Sequence, residues 1–352
     1  MIAEDNLGDR MMNAAIIASA LAHLIYLITF FGMIGLLSMT QLMSARPHMT
    51  PYRQHSTEEL AYVNGRWRPM SEAALPLDDW GVLQGVMLVE RLRTYGGSIF
   101  QFDRHMGRLR DSVEAVGISW SQWCDFDIRS VCEQAVAAAL ERSQSPDIGV
   151  VILATPGRVG EKRPTQIIHT TELPWKKLAS WYTQGQDLIT ATIRNVPGEC
   201  WPVHIKTRSR LHYYLADQQA AKLGPNAGAV MLGLNGQVTE TSFANVFMVD
   251  RDRRIIAPER DEVLPGISLE IALEAARQLG ISISFEEISK SRFDTATEIL
   301  LTGTNGGIWG ARSLDGRTLN LHSETSVLAQ LRAAWCEIVG MDYVQQAVSL
   351  GH

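Results

Sequence analysis

Three short turns constrain this chain more than any other feature. Asn64-Gly65, Gly96-Gly97 and Asn235-Gly236 each stand between brief runs of strand-forming residues. A two-residue hairpin turn needs positive φ at its centre, which glycine supplies at no steric cost and asparagine at little, so each pair is a hairpin signal. Between the turns the period changes. In "DRHMGRLRDSVEAVGI", Met106, Leu109, Val113 and Val116 have helical spacing, Asp103 is the expected N-cap and Gly117 the stop. "DIRSVCEQAVAAALERS", "LPGISLEIALEAARQLG" and "SVLAQLRAAWCEIV" are further helices, while "IGVVILATPG", "DLITATIRN", "ISISFEEIS" and "TEILLTGT" are strand runs. "TELPWKKLASWYTQG" is expected to be the crossing between two halves. The alternation implies an α/β (α+β) chain with a small α+β domain over 56–176 and a larger domain over 180–345.

The 352 residues suffice for two cores, and a hydrophobic content of 46% is that of a globular chain. A formal charge of -6 leaves no basic footprint and argues against nucleic acid as a partner. The four cysteines are scattered, without CxxC or zinc spacing, and there is no HExxH, so no metal site is expected. Residues 1–55 form an extension of different character. Met11 to Ala45 carries no charged side chain, and the apolar run over 14–39 exceeds the ~20 residues that span a bilayer. Two readings stay open. Either this helix contacts or crosses a membrane, with Arg46 and Arg53 favouring a cytoplasmic main body, or translation begins at Met43 or Met49. Both put the main body in the cytoplasm.

Lys206 closes the extended run "WPVHIK" just before the pattern turns helical. A lysine is ordinarily a solvated charge, but this one keeps particular company. Glu240 ends the strand after a tight hairpin. "LPGIS" puts a glycine turn at a helix N-terminus, where free N–H groups and the dipole favour a phosphate. "LTGTNGG" is a second small-residue loop, offering N–H groups and the Thr304 hydroxyl. Taken singly, these are a hairpin acid, a helix entry and a turn.

Their order is more telling. A lysine, then "G-x-V-x-E-x-x-x-x-N" (Gly236, Val238, Glu240, Asn245), then "LPGIS" and "LTGT", resembles the class IV aminotransferases, the fold-type IV pyridoxal-phosphate enzymes. These include branched-chain and D-amino-acid aminotransferases, (R)-amine transaminases and aminodeoxychorismate lyase. "VERLRTYGGSIFQFDRHMGRLRDSVEAVGI" is similar to a family stretch in the first half, and the resemblance covers about Tyr62 to Leu319. It implies pyridoxal 5'-phosphate as cofactor, bound in the larger domain, and a homodimer. Lys206 would then condense with the cofactor aldehyde and shuttle a proton, and Glu240 would keep the pyridine nitrogen protonated. Arg108 would grip the phosphate, although an ordinary surface pair with Asp111 is its alternative. Ile267, Ser268 and Thr304 would add donors to the phosphate, and Asn305 a backbone N–H to a substrate carboxylate. The implied reaction is amino transfer between an amino acid or amine and a 2-oxo acid, as in branched-chain enzymes. Pyruvate elimination from aminodeoxychorismate is the alternative, favoured by Arg210-Leu211; an inactive membrane-tethered scaffold is a reading of another class. Leu211 stands where branched-chain enzymes carry a tyrosine. Tyr213 and Tyr214 fall out of register and are expected to pack the helix, and Trp309 stands where many transaminases have a smaller residue.

Overall fold

The computed structural model describes residues 58–319 and 325–351. The apolar run over 14–39 lies outside them; among the described residues no helix is long and apolar enough to cross a membrane.

The hairpins organise the first sheet. Asn64 and Gly65 both adopt positive φ (49° and 87°) and turn β1 (Leu60–Val63) into β2 (Arg66–Pro69). Gly96 and Gly97 (56° and 77°) do the same between β3 (Leu88–Tyr95) and β4 (Ser98–Ile99). With β5 (Ile148–Thr155) and β6 (Thr165–Glu172) they form a six-stranded sheet in the order β2-β1-β6-β5-β3-β4. Helices α1 (Phe102–Ala115) and α2 (Ile128–Arg142) cover one face. Leu88, Leu92, Val150, Ile152 and Ile168 of the sheet bury against Leu109, Val113, Val131 and Val136 of the helices. Because side chains alternate along a strand, the cross-strand row Arg91–Val151–His169 emerges on the opposite face. Gln101, not Asp103, holds the N-cap position of α1, with φ of 53°; Asp103 falls in the first turn, where a carboxylate opposes the helix dipole.

The second sheet carries β7 (Gln186–Arg194), β8 (Gly228–Leu232), β9 (Val238–Thr241), β10 (Asn245–Val249), β11 (Ile255–Ala257), β12 (Ile283–Phe285), β13 (Glu298–Gly303), β14 (Gly307–Leu314) and β15 (Arg317–Thr318). Its order is β12-β11-β10-β13-β14-β7-β8-β9, with β15 on β14. Strand β9 also pairs back onto β10 through Asn245↔Glu240. That pairing closes β10, β13, β14, β7, β8 and β9 into a barrel and removes two free edges. Around it run α3 (Trp175–Thr183), α4 (Leu211–Ala220), α5 (Ile267–Gln278), α6 (Val327–Val339) and α7 (Tyr343–Leu350).

Two expectations need correction. The stretch 171–185 is no simple crossing, because Leu178, Trp181 and Tyr182 bury one side of it as helix α3. "WPVHIK" is not a strand either. Pro202 has no N–H for a ladder, and the Ile205 N–H donates back to the Pro202 carbonyl at 3.1 Å in a turn. Extended pairing starts only at Lys206, where the Val89 N–H donates to the Lys206 carbonyl (2.9 Å) and the Arg208 N–H to that of Met87 (2.7 Å).

Candidate active site

The edge of β3 fixes where Lys206 stands. Besides the bond from Val89, the Lys206 N–H donates to the Ser112 hydroxyl of α1 at 3.3 Å. Its side chain enters a cleft of about 850 Å³ whose wall includes Arg108, Glu240, Gly266, Ile267, Ser268 and Thr304. Six of the seven residues singled out from the sequence thus share one cavity. Burial, then the guanidinium of Arg108, lowers the Lys206 amine from 10.5 to about 8, while Glu90 and Glu240 pull it back up. An amine so tuned is partly neutral near pH 8, the form that attacks a carbonyl.

Glu240 lies at the barrel closure. Its Oε1 accepts from the Tyr213 hydroxyl at 2.5 Å, and its Oε2 from Asn245 Nδ2 (3.3 Å) and the Leu264 N–H (3.4 Å). Burial raises its pKa; the Tyr213 hydrogen bond and Lys206 oppose the rise without cancelling it. No cation reaches this carboxylate by hydrogen bond among the described residues. A protonated ring nitrogen would meet that need.

The anion end is built by fastening the turn before α5. Asn245 Nδ2 donates to the Leu264 carbonyl (2.9 Å) and Arg108 Nη1 to that of Pro265 (3.0 Å). Gly266 is required there, since a Cβ on it would lie 1.9 Å from Asn245 Oδ1. The first backbone N–H groups of the twelve-residue α5 are thereby presented to the cleft. Arg108 is buried and pairs with Glu90, not Asp111: Nε donates to Oε2 at 2.9 Å and Nη2 to Oε1 at 2.6 Å. Three of its five N–H groups are used, and two remain for an anion. Glu90 also meets His105 Nδ1 at 3.0 Å. Burial alone would raise Glu90, but Arg108 and His105 outweigh it and hold the carboxyl well below its usual range.

Thr304 lines the cleft beside Thr302, whose buried Oγ1 has no hydrogen-bond partner. An unpartnered buried hydroxyl, free helix N–H groups and spare Arg108 donors suit a phosphate. Opposite them, a carboxylate without a cation suits a pyridinium. The residues present therefore fit pyridoxal 5'-phosphate. Asn305 stands apart from the cavity wall: its Oδ1 accepts from Arg91 Nε (3.0 Å) and its carbonyl from Arg93 Nη1 (2.6 Å).

Sequence reasoning missed Tyr213, expected to pack its helix, because its register with Lys206 differs from the resemblance; only the contact with Glu240 reveals it. His212 also lines the cleft, and burial together with Arg210 lowers it to about 4. Trp309 is not at the cavity wall. It is 1% exposed, stacks on Trp181 at 4.6 Å, and supports the 303–306 turn from beneath. Phe243, which does line the cleft, stacks on the other side of Trp181 at 5.4 Å.

Comparison with known proteins agrees with this geometry. The family profile described as "Amino-transferase class IV" matches residues 87–314. A putative branched-chain-amino-acid aminotransferase of Methanocaldococcus jannaschii is 26% identical over 285 residues, covering 79% of this chain and 95% of its own. A D-alanine aminotransferase of Bacillus licheniformis is 25% identical over 262 residues, covering 73% and 88%. Among solved structures, an aminotransferase from Brucella abortus bound to the co-factor PLP shares the fold, with a TM-score of 0.68 at 20% identity over 80% of this chain and 99% of that one.

Proposed function

Because the chain belongs to the class IV aminotransferase family, we propose that it moves an amino group between an amino acid and a 2-oxo acid, with pyridoxal 5'-phosphate as carrier. One observation carries the reading: the lowered amine of Lys206 and the uncompensated carboxylate of Glu240 share a cleft with a ready-made anion cradle. When bound, the cofactor supplies an aldehyde for the amine and a ring that withdraws electrons.

The chain's own residues then have distinct tasks. Arg108, Thr302, Thr304 and the α5 N–H groups at Ile267 and Ser268 hold the phosphate. Glu240 holds the ring nitrogen in its protonated form, and Tyr213 holds Glu240 anionic by donating to it. Lys206, once released by an incoming amine, stands in the cleft as the base that takes the substrate α-proton and returns it one carbon away. Asn305 belongs to the turn that would meet the substrate carboxylate. The matched relatives support branched-chain amino acids as the first donors to try, with a homodimer as the working assembly.

The test is a half-reaction. The purified, cofactor-loaded protein, mixed with a panel of L- and D-amino acids and amines, should convert to the pyridoxamine form and release a keto compound. Pyruvate release from aminodeoxychorismate, with no aminated cofactor from any donor, would replace this reading by the lyase one.

A further inference from the structure

The open face of the six-stranded sheet holds cations that the cofactor site does not use. Arg91 stands on it in the row Arg91–Val151–His169. Two of its five N–H donors are used, both on neutral oxygens: Nε on Asn305 Oδ1 (3.0 Å) and Nη2 on Thr171 Oγ1 (3.0 Å). Arg208 leaves the chain two residues after Lys206, where its N–H is fixed to Met87 at the start of β3. Its guanidinium meets no hydrogen-bond acceptor or acid among the described residues. The two side chains are close enough to act on each other: burial first, and the charge of Arg208 second, lower Arg91. Both arginines also bear on His169, which burial lowers against the pull of the Thr170 carbonyl and Glu59. Two half-buried guanidinium groups facing one space, with no carboxylate hydrogen-bonded to either, is a costly arrangement unless an anion joins them.

This space adjoins the cleft. Asn305, which Arg91 holds, follows Thr304, and Arg208 follows Thr207; Thr304 and Thr207 both line the cavity. It lies on the Glu90 side, away from the α5 turn that Arg108 fastens, so it is distinct from the phosphate cradle. We propose that Arg91 and Arg208 form a carboxylate clamp for the substrate, making this chain selective for carboxylate-bearing donors and acceptors over neutral amines. The inference rests on the amino-transfer reading for its substrate. The carboxylate has two possible origins, the α-carboxylate common to amino and 2-oxo acids or the side-chain carboxylate of a dicarboxylic one. The chemistry that Arg91 and Arg208 recognise is the same, a planar anion that accepts two parallel N–H bonds.

Binding without turnover separates this proposal from the reaction itself. Isothermal calorimetry on the cofactor-loaded protein would use unreactive 4-methylvalerate, glutarate and, as an uncharged control, 4-methylvaleramide. The clamp predicts that carboxylates bind more tightly than the amide and that Arg208→Gln weakens them by about ten- to a hundredfold, the scale of a lost charge-assisted pair. Weakening of both carboxylates identifies the α-carboxylate; weakening of glutarate alone identifies a side-chain carboxylate. Arg208 makes no side-chain hydrogen bond, so its replacement should leave the thermal midpoint near that of the parent. Arg91→Lys, which keeps the charge but loses the fork, should weaken binding less than Arg91→Gln. Equal affinity of wild type and Arg208→Gln for both carboxylates, or binding of the amide as tight as that of the acid, overturns the clamp. A protein that fails every half-reaction yet binds glutarate through Arg208 would keep the clamp and discard the transferase reading.

Discussion

Glu90 and Glu240 are both buried carboxylates whose charge reaches Lys206, and they sit in opposite surroundings. On the side of the six-stranded sheet, Glu90 is gripped by the Arg108 fork and by His105, and its acidity is enhanced in spite of burial. On the barrel side, Glu240 has only neutral donors, Tyr213, Asn245 and a backbone N–H, and burial wins. The same residue type therefore does two jobs. Glu90 is satisfied within the chain and fixes the arginine that faces the cleft. Glu240 is left wanting a positive partner, which is what a site for a cationic ring requires. Lys206 stands between them, and Arg108 lowers it more than either acid raises it.

The contrast can be broken in several ways, with effects of different size. Replacing the group between the two acids should do most: Lys206→Met should abolish cofactor attachment and lower amino transfer by at least ~10²–10⁴-fold in a single-turnover assay. Next comes Glu90→Gln, which leaves Arg108 buried without its acid and should cost about 3–5 kcal/mol in urea unfolding at pH 7. The matching Glu240→Gln apoprotein should be as stable as the parent or more so, while losing activity. The pH dependence has opposite signs. Glu90 has a folded pKa below its ordinary 4.5, so its contribution is present above 4.5 and fades as pH falls below it. Glu240 has a folded pKa above 4.5, so its contribution is complete below 4.5 and is lost as pH rises through the folded value. Urea curves at pH 4 and pH 7 for the two variants should therefore diverge in opposite directions from wild type; parallel curves would erase the distinction.

Smaller effects sharpen it. Gly266→Ala should push Asn245 off the turn that Glu240 shares, cost about 1–3 kcal/mol as an overpacked site, and raise the dissociation constant for the cofactor phosphate end. Tyr213→Phe should have the least effect on stability. Losing that hydroxyl removes the strongest opposition to burial, so Glu240 rises further and the acid limb of the kcat/KM profile moves to higher pH. A limb that stays in place would show that Tyr213 leaves Glu240 untouched.

Much of this was legible before the fold was seen, and the reasons differ by residue. Asn64-Gly65 and Gly96-Gly97 announced their hairpins because only residues tolerant of positive φ fit there. Lys206, Glu240, Ser268 and Thr304 were legible as an ordered constellation, because the order of separated loops along the chain survives when single positions do not. Strand β6, at the centre of its sheet, gave no such signal; "TQIIHTTE" buries polar residues such as Gln166 and Thr170 that alternation rules assign to solvent. Tyr213 and Thr302 could not be found by spacing, since their roles arise from closure of the barrel and from a hydroxyl left without a partner. Trp309 looked like a pocket residue and is core, because its indole N–H finds Gln186 at 2.9 Å inside the barrel.

The most direct measurement asks where the cofactor is attached. Borohydride reduction of the loaded protein, followed by peptide mass mapping, should place the phosphopyridoxyl mass on the peptide containing Lys206 and nowhere else, and none in Lys206→Met. Attachment at another lysine, with Lys206 unmodified, would contradict the account.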